Sequence, residues 1–182
     1  AAGHVRHLSR GRTSAGAVTH GAGGTGRPAA EIDGRRTVPQ LLVRDWMTRD
    51  PLTCGADISV AAARARMERD DVNSLLVVDP EGRLLGVVTW TDVVAAWPSP
   101  FDDLETAEVR ELMARVGVEE IMSRDVVAVE PDATVAEAVN LMFERRIGLL
   151  PVVDGARVVG ILTNADLRQG LVRVLADRGG GP

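Results

Sequence analysis

The chain has few side chains of the kinds that most often carry out catalysis. It contains one cysteine and three histidines, has no lysine or tyrosine, and is only 3% aromatic over 182 residues. A single cysteine excludes an intramolecular disulfide and is typical of a reducing compartment. The histidines all precede residue 21, and the sequence lacks CxxC, HExxH and Gly-rich phosphate-loop motifs. The composition therefore indicates a protein that is not an enzyme and binds no metal.

Long apolar runs are also missing. The longest uninterrupted apolar stretches are five or six residues, which is too short for a transmembrane helix. Residues 1–36 lack the apolar core of a secretory signal. We therefore expect a cytoplasmic protein that has no contact with membranes.

Charge divides the chain into a basic tail and an acidic remainder. Residues 1–36 hold six arginines and two acids, whereas residues 37–182 hold fifteen arginines and twenty-four acids. The tail is rich in glycine and poor in bulky apolar residues, so residues 1–37 are predicted to be disordered. Because its arginines are scattered and the remainder is acidic, a nucleic-acid partner is not expected.

The remainder contains the same pattern twice. Residues 43–93 and 118–167 match at an offset of 75, and at an offset of 74 after one residue is lost in a turn. Matching pairs include Met47/Met122, Asp57/Asp132, Met67/Met142, Asp79/Asp154, Gly86/Gly160, Thr89/Thr163 and Asp92/Asp166. Two copies favour a paired domain with pseudo-two-fold symmetry over a solenoid.

Each copy predicts the order β-α-β-β-α after a short opening helix, which makes the fold class α/β (α+β). Helices are expected to begin after Ser59 and Thr134, where apolar residues recur at helical spacing. Apolar runs bounded by turn residues predict strands at 75–78 and 84–88. The predicted parts are a tail (1–37), repeat one (38–97), a linker with a helix (98–117), repeat two (118–176) and a C-terminal tail (177–182).

These residues resemble the CBS domain, and the tandem resembles a CBS pair, or Bateman module. The matching elements are an opening at residues 43–47 and 118–122, a strand at 75–79 and 150–154, and a Gly-x-x-Thr-x-x-Asp ending at 86–92 and 160–166. The resemblance covers about residues 40–175. It implies a regulatory module that binds an adenosine-containing ligand in clefts between the repeats.

Thr89 with Asp92, and Thr163 with Asp166, are the strongest candidate site residues. A threonine at a helix N-terminus can bind phosphate, and the aspartate can accept hydrogen bonds from a ribose diol. The same spacing is also that of a capping box, which would make both pairs structural. In CBS pairs these positions commonly contact the phosphate and ribose of adenosine ligands.

Further ligand-binding residues follow from the resemblance. First-strand positions and the segment before the second strand match those that hold adenine in CBS pairs: Thr53, Cys54, Ala128, Val129, Ile147, Gly148 and Pro151. The alternative is that such residues belong to the core. Arg146 and Arg168 would hold phosphates in repeat two, whereas repeat one has Asp70 and Asp71 before its strand. We therefore expect the Thr163–Asp166 cleft to be the better phosphate site.

The sequence predicts a non-catalytic sensor without a cofactor, with an adenosine nucleotide such as AMP or ATP as its regulatory ligand. It does not distinguish these from ADP, S-adenosylmethionine or NAD-type ligands. The alternative is a scaffold with empty clefts that serves dimerisation and a partner protein. Surplus apolar residues on the flanking helices predict a homodimer: Val94, Trp97, Leu171 and Leu175. The effector protein is not identified by the sequence.

Overall fold

The computed structural model describes residues 6–7, 40–98 and 106–179. Repeat one contains β2 (Thr48–Arg49), β3 (Thr53–Cys54), α1 (Val60–Asp70), β4 (Ser74–Val78), β5 (Leu84–Thr89) and α2 (Trp90–Ala96). The linker helix α3 (Thr106–Met113) follows. Repeat two contains β6 (Val127–Ala128), α4 (Val135–Arg145), β7 (Leu149–Asp154), β8 (Arg157–Thr163) and α5 (Asn164–Gly179). The predicted α/β class and the order of elements in both repeats are confirmed.

Local sequence explains where the two central helices begin and end. Ser59 and Thr134 are the N-caps of α1 and α4, and Thr134 forms a capping box with Glu137. Both helices end at a residue in the left-handed conformation, Asp71 in repeat one and Arg146 in repeat two. The short opening helices predicted from the sequence are single 3₁₀ turns, Val43–Asp45 and Val118–Glu120.

Each repeat is completed by the opening segment of the other repeat. Val43 donates its N–H to the Ala133 carbonyl at 2.9 Å, and its counterpart Val118 donates to the Ile58 carbonyl at 2.8 Å. The strand β2 then pairs antiparallel with β8, while Ser123 exchanges two backbone hydrogen bonds with Val87 on β5. The two repeats, which the sequence divides at residues 97 and 118, therefore exchange their opening segments.

Two glycines allow this close approach. A Cβ on Gly86 would lie 2.7 Å from the Ser123 carbonyl oxygen and 2.9 Å from Met122 Sδ. A Cβ on Gly160 would lie 3.1 Å from the Thr48 carbonyl oxygen. The glycine that opens each Gly-x-x-Thr-x-x-Asp ending is thus required where the other repeat's opening segment crosses the sheet.

Three clusters of buried residues form the core. One lies in repeat one and includes Val118 and Met122 from the opposite opening segment. A second lies in repeat two and includes Val43 from repeat one. The third joins the repeats and contains Leu76, Leu84, Val87, Val126, Ala128 and Val153. The hydrophobic core therefore runs through both repeats.

The linker and the two ends differ in part from the prediction. The predicted linker helix is present, and its Val109 and Met113 are buried against repeat one. Arg6–His7 form a two-residue strand, β1, that pairs in parallel with β6, whereas the sequence predicts disorder there. The remainder of 1–37 lies outside the described residues, as do 99–105. Helix α5 extends to Gly179, three residues beyond the predicted end of repeat two.

Candidate functional site

The predicted Thr163–Asp166 pair lies where β8 runs into α5. Asp166 Oδ2 accepts hydrogen bonds from the Thr163 N–H at 2.7 Å and from the Thr163 hydroxyl at 2.6 Å. The Asp166 N–H donates in return to Thr163 Oγ1 at 3.3 Å. This is the reciprocal arrangement of a capping box, so the structural interpretation of the motif is realised here.

One oxygen of Asp166 leaves the capping box and meets the other repeat. Asp166 Oδ1 accepts a hydrogen bond from the Thr48 hydroxyl at 2.7 Å. Thr48 stands on β2, the strand that repeat one contributes to the sheet of repeat two. A cavity of about 220 Å³ opens beside this bond, lined by residues 45–48 of repeat one and by Asp166, Gln169, Gly170, Arg173 and Val174 of repeat two. The two repeats thus meet at a carboxylate that can accept further hydrogen bonds.

The matching place in repeat one lacks this bridge. Thr89 and Asp92 form the same box at the start of α2, with hydrogen bonds of 2.8 and 2.7 Å to Asp92 Oδ2. Ser123 is the counterpart of Thr48, yet it makes no hydrogen bond to Asp92, although both residues are described. Trp90 stands at the first helical position, where repeat two has Asn164. The two motifs are therefore alike in their caps and different in their surroundings.

Three of the predicted residues line a groove on the opposite side of α5. Arg146, Ile147 and Gly148 lie in a groove of about 850 Å³ between α4 and the start of α5. The Gly148 carbonyl accepts a hydrogen bond from the Asn164 N–H at 3.1 Å, which holds this segment against the helix N-terminus. Arg168 is exposed on α5. Arg146 and Asp166 thus flank the N-terminus of α5 from two sides and do not line one common cavity.

The remaining predicted residues divide between the core and a third cavity. Ala128, Val129 and Pro151 are buried, and the Pro151 carbonyl accepts a hydrogen bond from the Val129 N–H at 3.0 Å. Leu75, Val77, Leu150 and Val152 are fully buried, as the core alternative required. Thr53 and Cys54 line a separate cavity of about 500 Å³ in repeat one.

Thr48 is the residue at this site that the sequence analysis missed. A signal for it was present, because Thr48 and Ser123 match as hydroxyl residues directly after the paired methionines. No local pattern indicates that either of them would reach the other repeat. The contact becomes visible only once the opening segments are known to be exchanged.

Burial makes the Cys54 thiol a poor nucleophile. Burial raises the pKa of the thiol from 9.0 to about 11; nearby Arg66 lowers it and Asp57 raises it, both by smaller amounts. The thiol is therefore protonated at neutral pH and lacks the reactive thiolate. In residues 40–98 and 106–176, no cluster of three or more His, Cys, Asp and Glu side chains could hold a metal ion.

The shifted pKa predicts how stability changes at alkaline pH. The unfolded thiol ionises near pH 9 and the folded thiol near pH 11, so the free energy of unfolding should fall across this window as pH rises. With no lysine or tyrosine in the chain, no other side chain ordinarily titrates there. Urea unfolding at pH 8–11 measures this fall, and Cys54→Val, which copies Val129 of repeat two, should remove it. The same pH profile in both proteins would contradict the assignment.

Comparison with known proteins identifies the repeats. The family model for the CBS domain matches residues 43–99 and again residues 118–173. A CBS domain-containing protein of Dictyostelium discoideum is 31% identical over 137 residues, covering 75% of this chain and 94% of that protein. Relatives named as enzymes are a different case, since the chain spans only 21–23% of their length.

Solved CBS pairs have the same fold. The CBS domain pair of protein MJ0100, in complex with 5′-methylthioadenosine and S-adenosyl-L-methionine, is 29% identical with a TM-score of 0.61, covering 74% of this chain and 98% of that chain. CBSX2 in complex with AMP is 26% identical with a TM-score of 0.62 and the same coverage. No helix in the described parts of this chain is long and apolar enough to cross a membrane. The predicted resemblance is confirmed: the chain belongs to the CBS domain family and is a tandem CBS pair.

Proposed function

We propose that this chain is a non-catalytic, cytoplasmic regulatory module that binds an adenosine-containing ligand at Asp166. The observation that carries the proposal is the Thr48–Asp166 hydrogen bond, which joins the two repeats at the N-terminus of α5. Relatives of the same fold are complexes with AMP, S-adenosylmethionine and 5′-methylthioadenosine. Those ligands share a ribose, which carries the diol that a carboxylate can bind.

The ribose would use the oxygen that now accepts from Thr48. Asp166 Oδ2 is occupied by the capping box, so a diol would bind at Oδ1 and compete with the Thr48 hydroxyl. The cavity of about 220 Å³ is below the roughly 300 Å³ at which ligand pockets begin. A nucleoside would therefore have to displace β2 to enter. That displacement would report occupancy to the interface between the repeats.

The charges near α5 favour an anionic group on the ligand. A helix N-terminus carries the positive end of the helix dipole, which favours an anion nearby. Arg146, at the end of α4, flanks this N-terminus on the side away from the Asp166 cavity, and its counterpart in repeat one is Asp71. An acid in place of an arginine disfavours an anion by about 1 kcal/mol in exposed geometry. The proposed nucleotide site is therefore in repeat two.

Two matched variants test this assignment. Asp166→Ala should weaken AMP binding by about 1.5–3 kcal/mol, the scale of hydrogen bonds to a charged group. Asp92→Ala removes the same kind of capping box from repeat one and should change the affinity little. Titration calorimetry with AMP and 5′-methylthioadenosine measures both. Equal affinities for wild type and Asp166→Ala would remove Asp166 from the site.

The rival function is a ligand-free scaffold that dimerises and contacts a partner protein. It would be favoured if the wild-type chain bound neither AMP, 5′-methylthioadenosine nor S-adenosylmethionine at millimolar concentration. The Thr48–Asp166 bond would then be a structural link between the repeats and nothing more.

We propose further that the chain forms a homodimer through its flanking helices. Val94 is 50% exposed on α2, while Leu171 and Leu175 are 54% and 60% exposed on α5. Phe143 on α4 is a further apolar side chain, 84% exposed, that was not anticipated from the sequence. Trp97 does not belong to this surface: it packs on the core of repeat one, with the Arg64 guanidinium 4.4 Å from its ring centre.

A charge placed on this surface should separate the protomers. Leu171→Asp would bury an unpaired carboxylate in each protomer, at a cost of about 3–5 kcal/mol. Light scattering should give twice the 19.4 kDa chain mass for wild type and the chain mass for the variant. Leu112→Asp, the same change on an exposed leucine of α3, is the control and should stay dimeric. A wild-type mass of 19.4 kDa would rule out the dimer.

A further inference from the structure

Arg66 breaks the symmetry between the two central helices. It stands on α1, and its counterpart on α4 is Leu141, a core residue that is 6% exposed. The Nε atom of Arg66 is buried and has no hydrogen-bond partner, while the Arg66 side chain as a whole is 36% exposed. The nearest acid oxygen is Asp70 Oδ2 at 4.0 Å, and Asp70 already accepts two hydrogen bonds from Arg69. A buried donor without an acceptor is unfavourable and rare in native proteins.

The cavity beside Arg66 is also more polar than the matching region of repeat two. It is an open cavity of about 500 Å³ that includes Thr53 and the buried Cys54, whose counterparts are the buried Ala128 and Val129. Two apolar positions of repeat two, Ala128 and Leu141, are therefore polar in repeat one, where they are Thr53 and Arg66. Because repeat two has the same fold with apolar residues at these positions, the fold does not require polar residues there.

Asp57, an acid on the cavity wall, lacks the ion-pair partner that its counterpart in repeat two has. Asp132 of repeat two pairs with Arg44 at 2.6 Å. By the repeat offset the counterpart of Asp132 is Asp57, and the counterpart of Arg44 is Glu119. In the described ranges no arginine forms an ion pair with Asp57. The cavity wall thus carries a cation, Arg66, whose closest acid oxygen is 4.0 Å away, and an anion, Asp57, without the ion pair of its counterpart.

The other polar side chains of the cavity wall are already satisfied or neutral. Asp79 accepts from the Arg83 guanidinium and from the N–H groups of Glu81 and Arg83. The Cys54 thiol is protonated at neutral pH and adds no charge. A purely anionic ligand would meet Asp57, and a purely cationic one would meet Arg66. Only a ligand with both charges satisfies the two groups together.

We propose that this cavity binds an apolar α-amino acid, with its carboxylate on the Arg66 guanidinium and its ammonium group on Asp57. The side chain would rest against the apolar part of the wall, which consists of Ala56, Val78, Pro80 and Leu85. The site is separate from Asp166 and does not depend on nucleotide binding. It would make the module responsive to a second class of small molecule.

The probe is L-leucine, compared with two analogues that each lack one charge. 3-Methylbutan-1-amine has no carboxylate, and 4-methylpentanoate has no ammonium group. Titration calorimetry on the full chain should show binding of leucine and at least about tenfold weaker binding of either analogue, as expected for the loss of a charge-assisted contact. Equal binding of leucine and 4-methylpentanoate would overturn the role of Asp57. Absence of leucine binding to wild type at millimolar concentration would overturn the site.

Arg66→Leu is the decisive variant because it copies repeat two. It should abolish leucine binding without lowering the melting temperature, since it removes an unsatisfied buried donor. Arg145→Leu, on the exposed surface of α4, makes the same change in net charge and should leave leucine binding intact. AMP titration of Arg66→Leu separates the two sites, because a nucleotide held at Asp166 should bind it as it binds wild type. Leucine binding retained by Arg66→Leu would contradict the proposal.

Discussion

Val43 and Val118 each donate a backbone hydrogen bond into the opposite repeat, and the rest of the fold follows from these two bonds. Each bond holds an opening segment against the start of the central helix of the other repeat, which is α4 for Val43 and α1 for Val118. The next residues then reach the far sheet, where β2 pairs with β8 and Ser123 pairs with Val87. A three-stranded sheet with one apolar face would be marginal alone. The exchange covers both sheets and joins their cores.

The order of backbone elements follows the two-fold symmetry, whereas side chains at several matching positions differ. Thr48 reaches Asp166, while Ser123 makes no hydrogen bond to Asp92. Arg146 stands where repeat one has Asp71, and Arg66 stands where repeat two has Leu141. Since the symmetric positions are those that hold the fold together, differences at matching positions are the places where function can have diverged. Both proposed ligand sites lie at such differences.

Much of the fold could be predicted because the signals are local. Ser59 and Thr134 determine where helices begin, and the apolar runs determine the strands to within a residue or two. Because the pattern occurs twice in the sequence, each of these local signals is present in both repeats. The exchange of opening segments could not be predicted, because an apolar segment such as 41–47 packs equally well, on pattern alone, against either repeat. Length and spacing do not identify the partner.

The site could be predicted only in part. Asp166 contacts the other repeat, whereas Ala128 and Val129 are buried in the core, and ligand binding by these residues stays a prediction. The residue type at a first-strand position does not indicate whether the strand lies at a cleft or inside a core. The body of α5 lies between Arg146 and Asp166, and the spacing of residues in the sequence does not predict this separation. Thr48 and Arg66 required knowledge of contacts between distant segments.

The claim that the exchanged segments make the two repeats one unit can be tested by hydrogen–deuterium exchange on Gly86→Ala. The new Cβ would overlap the Ser123 carbonyl of the opposite repeat and should destabilise the chain by about 1–3 kcal/mol. Gly117→Ala is the control, because nothing lies within 3.6 Å of its Cβ position. Our account predicts that amides of β4–β5 and of β7–β8 lose protection by the same free energy. Loss confined to β4–β5, with wild-type protection in β7–β8, would contradict it.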